Sequence, residues 1–239
     1  MVRNIEVEFI GDPRLAIIVY RNALPRELNI PERIEEAIGS SETAPYMWMD
    51  ALVGDQQKMP EYRDCVDCKL GDAHIANLPQ EFSGLRSVYE DTVEILTACL
   101  NDYQQRFNIK MDYREAINYV RYKPGQHFNV HTDHGFSYNC TVSSVIYIND
   151  DYEGGELWFP YLDLNVKFAA GDNVMFPSTF TYAHASRPVV SGTKYAAVTM
   201  FDYNDRTHKH GYGENIDGSK ATYGAGVSSG TSIDMSVKK

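Results

Sequence analysis

Apolar and polar positions repeat with two different periods along this chain. Near the N-terminus, residues 5–9 alternate and residues 15–20 form a short apolar run, which predicts two strands. Residues 31–38 begin with proline, carry acidic residues in the first turn and precede Gly39, which predicts a short helix. Between residues 84 and 108 the apolar positions fall three or four apart. This spacing predicts a long amphipathic helix that covers one face of a sheet.

After this helix, short apolar segments alternate with turn residues. They predict seven or eight strands, at residues 117–122, 128–133, 142–149, 155–159, 165–168, 173–176, 182–186 and 194–202. Short strands with turns every eight to twelve residues are typical of a sandwich or barrel, not of alternating β-α units. Segments 173–176 and 195–201 are predicted to pair, with Ser191-Gly192 as a turn between them.

Two stretches show no clear period. Residues 40–80, with their Gly, Pro and Asp content, predict a long irregular segment of the kind that forms lids or substrate-facing loops. Residues 205–239 are rich in Gly and Ser, which predicts a loose tail. We therefore predict one domain over residues 1–204, with helical support in residues 1–116 and a strand-rich core in residues 117–204.

Composition and charge narrow the classes of function. The chain has 239 residues, enough for one well-buried core, and a formal net charge of −11. An acidic balance argues against a general nucleic-acid or anionic-membrane binder. No stretch approaches the ~20 apolar residues that span a bilayer, so we expect a soluble, cytoplasmic protein. Cys65 and Cys68 form a lone C-x-x-C without a second metal-binding pair, so we expect free thiols.

Three side chains suggest a metal site. His131 and Asp133 are two positions apart and would project to the same face of a strand. His184 follows 51 positions after Asp133, and a second strand would have to bring it to the same point. Two imidazoles and one carboxylate are the ligand set that holds non-haem Fe(II) with open positions for oxygen and a cosubstrate. The pattern therefore indicates an enzyme.

A longer stretch around these residues resembles a known family. Residues 122–133 read Tyr-Lys-Pro-Gly-Gln-His-Phe-Asn-Val-His-Thr-Asp, which resembles the iron-binding signature of the prolyl 4-hydroxylases. These enzymes are 2-oxoglutarate- and Fe(II)-dependent dioxygenases, and this chain is most similar to their small soluble microbial or viral type. The likeness covers residues 15–203. Four further segments match in order and spacing, at residues 145–150, 153–160, 170–177 and 184–194.

The resemblance implies a fold and a set of catalytic residues. The fold would be mainly β with flanking α-helices, with residues 117–204 forming a double-stranded β-helix, or jelly roll. Iron would be held by His131, Asp133 and His184. Lys194 would complete the catalytic set by pairing with the distal carboxylate of 2-oxoglutarate, since a buried ammonium needs a charged partner.

Other residues are implied in binding the cosubstrate and the substrate. Tyr122, Tyr147 and Thr193 are expected to line the 2-oxoglutarate pocket with Lys194. A groove for a proline-containing peptide is expected from residues near Arg121, Trp158, Trp48, Tyr46 and Tyr62.

The implied reaction is hydroxylation of a prolyl residue in a peptide or protein, with succinate and CO₂ as coproducts. Its cofactors would be Fe(II), 2-oxoglutarate and O₂, with ascorbate as an optional addition. Two alternatives stay open: the same chemistry on lysine, a free amino acid or another small molecule, and a non-catalytic jelly-roll binding protein. The sequence leaves open the oligomeric state, the regio- and stereochemistry, the bacterial or viral source, and the roles of residues 40–80 and of the tail.

Overall fold

Seventeen short strands and three helices make up the described part of this computed structural model, which comprises residues 5–38, 47–53, 57–135, 139–204 and 214–215. The helices are α1 (Ile30–Ile38), α2 (Asp72–Ala76) and α3 (Gly84–Phe107). Strands of the first half are β1 (Glu6–Phe9), β2 (Ile18–Arg21), β3 (Met49–Asp50), β4 (Arg63–Asp64), β5 (Val66–Leu70) and β6 (Tyr113–Arg114). Those of the centre are β7 (Ile117–Tyr122), β8 (His127–His131), β9 (Val142–Tyr147), β10 (Glu153–Gly154), β11 (Leu157–Phe159) and β12 (Leu164–Val166). The last are β13 (Asn173–Pro177), β14 (His184–Ser186), β15 (Val189–Ser191), β16 (Lys194–Asp202) and β17 (Glu214–Asn215).

Two antiparallel sheets face each other. The major sheet has ten strands, with β1-β2-β13-β9-β16-β7-β5-β3 in order and β6 and β17 beside β16. The minor sheet has five strands in the order β12-β11-β14-β8-β4. This arrangement is a double-stranded β-helix, which confirms the predicted fold. Its chain connections cross between the sheets, so residues distant in sequence meet between them.

The helices cover the outer face of the major sheet. On α1 the buried residues Ile30, Ile34 and Ile38 recur at helical spacing, and α3 buries a matching stripe that includes Leu85 and Leu96. Both helices join one apolar cluster with outward-facing residues of the major sheet. The α3 helix ends at a left-handed asparagine whose N–H bonds to the helix backbone. The predicted long helix and its packing role are therefore confirmed.

Three sequence predictions about local structure need correction. Strand β8 ends at His131, so Asp133 lies beyond the strand and not within it. Strands β13 and β16 do not pair, because β9 lies between them and bonds to both. The predicted irregular segment 40–80 contains β5 and α2. The prediction of free thiols at Cys65 and Cys68 is confirmed, since both are free and buried and they belong to different apolar clusters.

Part of the predicted organisation lies outside the described residues. Of the tail, only β17 is described, and it pairs with β6. The division into a domain over residues 1–204 and a tail over residues 205–239 stays a prediction. No helix in the described residues has the length and apolar character needed to cross a bilayer.

Candidate active site

Two neighbouring strands of the minor sheet bring the histidines together. His131 is the last residue of β8 and His184 is the first of β14, and they are direct partners in the antiparallel register. Their ring centroids are 4.4 Å apart. Strand pairing thus places both rings at one end of the minor sheet, facing the interior of the jelly roll.

Asp133 reaches the same point from the segment that follows β8. Its Oδ1 lies 3.5 Å from His131 Nε2, and its Oδ2 lies 3.8 Å from His184 Nε2. One donor atom from each of the three residues lies within 4.8 Å of the other two, and all three residues are buried. The three side chains therefore converge as one cluster of possible metal ligands.

Backbone carbonyls fix which nitrogen of each histidine faces the cluster. Nδ1 of His131 lies 2.9 Å from the carbonyl of Asn129, and Nδ1 of His184 lies 3.0 Å from the carbonyl of Tyr182. A carbonyl only accepts, so each Nδ1 carries the proton and each Nε2 presents a lone pair. Both lone pairs point toward the carboxylate of Asp133.

The electrostatics suit a divalent cation. Burial lowers the pKa of His184 to about 4, so this imidazole is neutral at pH 7. Burial opposes the ionisation of Asp133, but the groups around the carboxylate, including the hydrogen bond from the Ser143 hydroxyl, outweigh it and hold the pKa of the carboxyl below its usual range. Neutral imidazole and ionised carboxylate are the forms that bind metals. The donor set fits Fe(II) in the two-histidine, one-carboxylate arrangement.

Aromatic rings hold the histidines from the side. Phe128 stacks on His131 with ring centroids 3.6 Å apart and planes 12° apart. Phe176 meets His184 edge to face at 5.0 Å. This packing restricts the rotation of both imidazoles and reduces water access around the cluster.

Lys194 lines the same cavity. Its Nζ donates to the carbonyl of Gly155 at 2.7 Å and to Ser186 Oγ at 2.9 Å, and it lies 5.3 and 5.1 Å from the ring centroids of Tyr122 and Tyr147. The side chain is buried, and within the described part of the chain no carboxylate lies within ion-pair distance of it. Burial lowers its pKa to about 7. The site therefore offers a buried ammonium to an anionic ligand.

One cavity of about 720 Å³ connects these groups with the surface. The triad and Lys194 all line it, together with Tyr122 and Tyr147. From there it continues over the inner face of the major sheet, past Val198, Asn118 and Lys69, which occupy neighbouring strands. Walls of this outer part come from the segment around β3 and from α2 and the residues after it. We call this outer part the groove.

Five of the predicted binding residues do not line the cavity: Thr193, Arg121, Trp48, Trp158 and Tyr62. The carbonyl of Thr193 accepts a hydrogen bond from Asn149, and the residue is absent from the cavity wall. On the helix-covered face of the major sheet, Arg121 pairs with Glu35 and lies over the ring of Trp48. The binding roles of these residues stay predictions.

Trp158 lies in the minor sheet, outside the cavity lining. It packs on the cluster of Val130, Ala183 and Ala185 in the minor sheet, with Arg187 over its ring. Tyr62 is near the cavity, where its hydroxyl donates to the carbonyl of Val130, and Tyr46 lies outside the described residues.

Sequence reasoning missed three residues of the site. Ser143 donates to Asp133, Arg63 lies 4.8 Å from the Phe128 ring centroid, and Asn118 is part of the groove floor. For Ser143 one signal was available, because a hydroxyl in an otherwise apolar buried strand needs a partner. No local pattern distinguishes Arg63 or Asn118.

The core of this chain is similar to known proteins. Residues 117–202 match the model of the 2OG-Fe(II) oxygenase superfamily. A PKHD-type hydroxylase of Crocosphaera subtropica is 27% identical over 136 residues, which are 52% of this chain and 60% of that protein. Prolyl 4-hydroxylase 13 of Arabidopsis thaliana is 26% identical over 147 residues, which are 49% of this chain and 50% of that protein. This chain thus spans about half the length of the curated relatives it matches.

A solved structure supports the fold. The prolyl hydroxylase of Trichoplax adhaerens, in complex with a peptide fragment of the hypoxia inducible factor oxygen degradation domain, superposes with a TM-score of 0.62. The alignment covers 79% of this chain and 84% of that one at 13% sequence identity. At this identity the likeness concerns the jelly roll alone. Residues 117–202 thus match the model of the 2OG-Fe(II) oxygenase superfamily and contain the converging triad.

Proposed function

We propose that this protein is an Fe(II)- and 2-oxoglutarate-dependent dioxygenase that hydroxylates prolyl residues in a peptide or protein. One observation carries the proposal: the cluster of His131, Asp133 and His184 shares a cavity with Lys194, a buried ammonium without an ion-pair partner among the described residues. A 2-oxoglutarate dianion can engage the metal at one end and this lysine at the other.

Each residue has a separate task in this scheme. His131 and His184 present Nε2 to Fe(II), and Asp133 supplies the anionic ligand. Lys194 binds and orients the distal carboxylate of 2-oxoglutarate, while Tyr122 and Tyr147 enclose the pocket and exclude water. When bound, iron and 2-oxoglutarate supply the oxidation by O₂ that yields the hydroxylated product, succinate and CO₂.

The groove favours a peptide over a free amino acid. It extends from the triad across three strands of the major sheet to α2, which exceeds what a single small substrate needs. Apolar residues line much of it, including Met49, Val198 and Met200. The preference for proline rests on the names of the relatives, since the Arabidopsis protein is a prolyl 4-hydroxylase and the Trichoplax enzyme is seen with a peptide.

The test is mass spectrometry of proline-containing peptides incubated with the protein, Fe(II), 2-oxoglutarate and oxygen, with succinate measured in parallel. We expect a one-oxygen mass gain on proline that matches the succinate released. A gain on lysine or on a free amino acid would reject prolyl specificity and retain the oxygenase. Fe(II) binding without oxygen-dependent succinate would favour the non-catalytic jelly-roll protein.

Variants assign the roles. His131→Ala and Asp133→Ala should abolish succinate release because each removes a metal ligand. Lys194→Ala should mainly raise the 2-oxoglutarate concentration needed for half-maximal rate, since it removes the partner of a carboxylate and leaves the iron ligands in place. The exposed Lys123→Ala is the matched control. If Lys194→Ala bound 2-oxoglutarate as tightly as this control, the role of Lys194 would be refuted.

A further inference from the structure

A chain of buried hydroxyl and thiol groups leads from the major sheet to Asp133. Ser143 Oγ on β9 lies 2.5 Å from Asp133 Oδ2, Ser178 Oγ lies 2.7 Å from Ser143 Oγ, and Cys140 Sγ lies 2.9 Å from Ser178 Oγ. All four residues are at most 6% exposed. Neither the metal ligand set nor the cosubstrate pocket includes Ser143, Ser178 or Cys140.

The number of protons fixes the direction of these hydrogen bonds. An ionised carboxylate only accepts, so the single hydroxyl proton of Ser143 goes to Asp133. Ser143 must then accept from Ser178, and Ser178 must in turn accept from the Cys140 thiol. Every group in the chain therefore donates toward Asp133. Aligned donors of this kind polarise one another and strengthen the final bond to the carboxylate.

Asp133 needs such support because no strand places it. The backbone pairing of β8 and β14 positions His131 and His184, but β8 ends before Asp133. The next residue is tied down, since the N–H of His134 donates to the carbonyl of Ser178 at 3.1 Å. Ser178 thus contributes to the position of the Asp133 segment through its backbone and to the carboxylate through its side chain.

We propose that Ser143 is a positioning residue whose hydroxyl, aligned by Ser178 and Cys140, holds Oδ2 of Asp133 and leaves Oδ1 as the oxygen that meets the metal. This inference rests on the proposed function, because it takes the triad to be a metal site. A carboxylate held in this way binds as a single-oxygen ligand and is already oriented before the metal arrives. Its orientation no longer depends on the metal, so binding needs less reorganisation.

The experiment is titration of the metal-free protein with Co(II), followed by visible absorption, without 2-oxoglutarate or oxygen turnover. We expect Ser143→Ala to raise the Co(II) dissociation constant by about 10- to 100-fold, as loss of a hydrogen-bond partner of a metal ligand usually does. Ser143→Thr keeps the hydroxyl and should restore binding to within about threefold of the wild type. Infrared difference spectra should show a single-oxygen carboxylate ligand in the wild type and its loss in Ser143→Ala.

Ser144→Ala is the matched control. Ser144 is the next residue of β9 and is equally buried. Its hydroxyl donates a hydrogen bond to Asn173 Oδ1 at 2.7 Å, away from the triad. Both substitutions remove one buried hydroxyl from the same strand, so their effects on folding should be similar. Only Ser143→Ala should weaken Co(II) binding. Thermal unfolding of both metal-free variants checks that they are folded.

The outcomes separate this inference from the proposed function. Equal dissociation constants for Ser143→Ala and Ser144→Ala, with normal wild-type binding, would overturn the positioning role alone. A wild type that bound no Co(II) or Fe(II) would overturn both. If Ser143→Ala did not fold, the Ser178→Ala variant would test the positioning role instead, because it removes the hydroxyl that donates to Ser143. We expect Ser178→Ala to weaken Co(II) binding several-fold relative to Ser144→Ala. Equal dissociation constants for Ser178→Ala and Ser144→Ala would overturn the positioning role of Ser143.

Discussion

Lys194 is a buried lysine whose surroundings do not compensate its charge. Its ammonium is buried, and the partners that it contacts are a carbonyl, a hydroxyl and two aromatic rings. Burial lowers its pKa to about 7, far below that of a lysine in water. A group poised in this way binds an anion well only while it carries its proton. Ligand affinity should therefore depend on pH in the neutral range.

We expect the affinity for 2-oxoglutarate to fall as the pH rises. Lys194 is charged below its pKa and neutral above it, while 2-oxoglutarate stays a dianion throughout. With a pKa of about 7, the dissociation constant should rise about tenfold between about pH 6 and pH 8. Calorimetric titration without oxygen measures this directly.

A lysine-to-arginine exchange separates this effect from protonation of the metal ligands. Lys194→Arg keeps a charge over the whole range, because a guanidinium does not lose its proton below about pH 12. Its pH dependence should be flatter than that of the wild type, even if its affinity is lower. A wild-type dissociation constant that stayed constant between pH 6 and 8 would contradict the prediction.

Among the elements, the turn before β13 connects three parts of the fold. The N–H of Gly171 donates to the carbonyl of Tyr147 on β9, and its own carbonyl accepts from Leu24 after β2. Gly171 has a φ of 88°, and a Cβ there would lie 2.3 Å from the carbonyl oxygen of Leu24. Both the backbone angle and the space therefore require glycine at this turn.

Gly171→Ala should destabilise the protein by about 2–5 kcal/mol, as the sum of left-handed backbone strain and steric overlap. Gly125 is a useful control, because its φ is also positive, at 87°, but a Cβ there would meet nothing within 4 Å. Gly125→Ala should cost about 1–2 kcal/mol, from the backbone angle alone. Urea unfolding measures both free energies, and equal losses would show that the approach of Leu24 does not matter.

At the level of the whole molecule, the groove is assembled from both halves of the chain. Its floor comes from the major sheet, and its walls come from the segment around β3 and from α2. Asn118 on this floor has a buried Oδ1 with no hydrogen-bond partner among the described residues. An acceptor left unpaired in a protein interior costs about 1–3 kcal/mol. A substrate N–H that enters the groove would satisfy it.

Asn118→Leu should therefore weaken peptide binding without weakening the fold. Removing an unpaired buried acceptor should leave the free energy of unfolding unchanged or raise it, whereas the peptide KM should rise about tenfold through loss of one hydrogen bond to a buried group. The KM for 2-oxoglutarate is the internal control and should not change. An unchanged peptide KM would remove Asn118 from the substrate site.

Local patterns predicted much of this molecule. The helical spacing of residues 84–108 corresponds to α3, because a helix is stabilised by contacts between residues three and four apart. The segment 122–133 and the histidine at 184 indicated an iron site, because few side chains can ligate a metal and their order along a strand is visible in sequence. Both features depend on the types and spacing of residues that are close together in the sequence.

Which face of a sheet each side chain lies on, and which distant residues it contacts, followed only from the tertiary structure. Both faces of the major sheet are covered, and all six residues of β9 are buried, so alternation does not show which side chains face the cavity. Arg121 on β7, for example, pairs with Glu35 of α1 on the helix-covered face, away from the cavity lining. Ser143 meets Asp133 only because two sheets pack face to face, and the same packing buries Lys194 without an ion-pair partner among the described residues. Such contacts join residues that share no period or spacing, so they arise when the sheets close on each other.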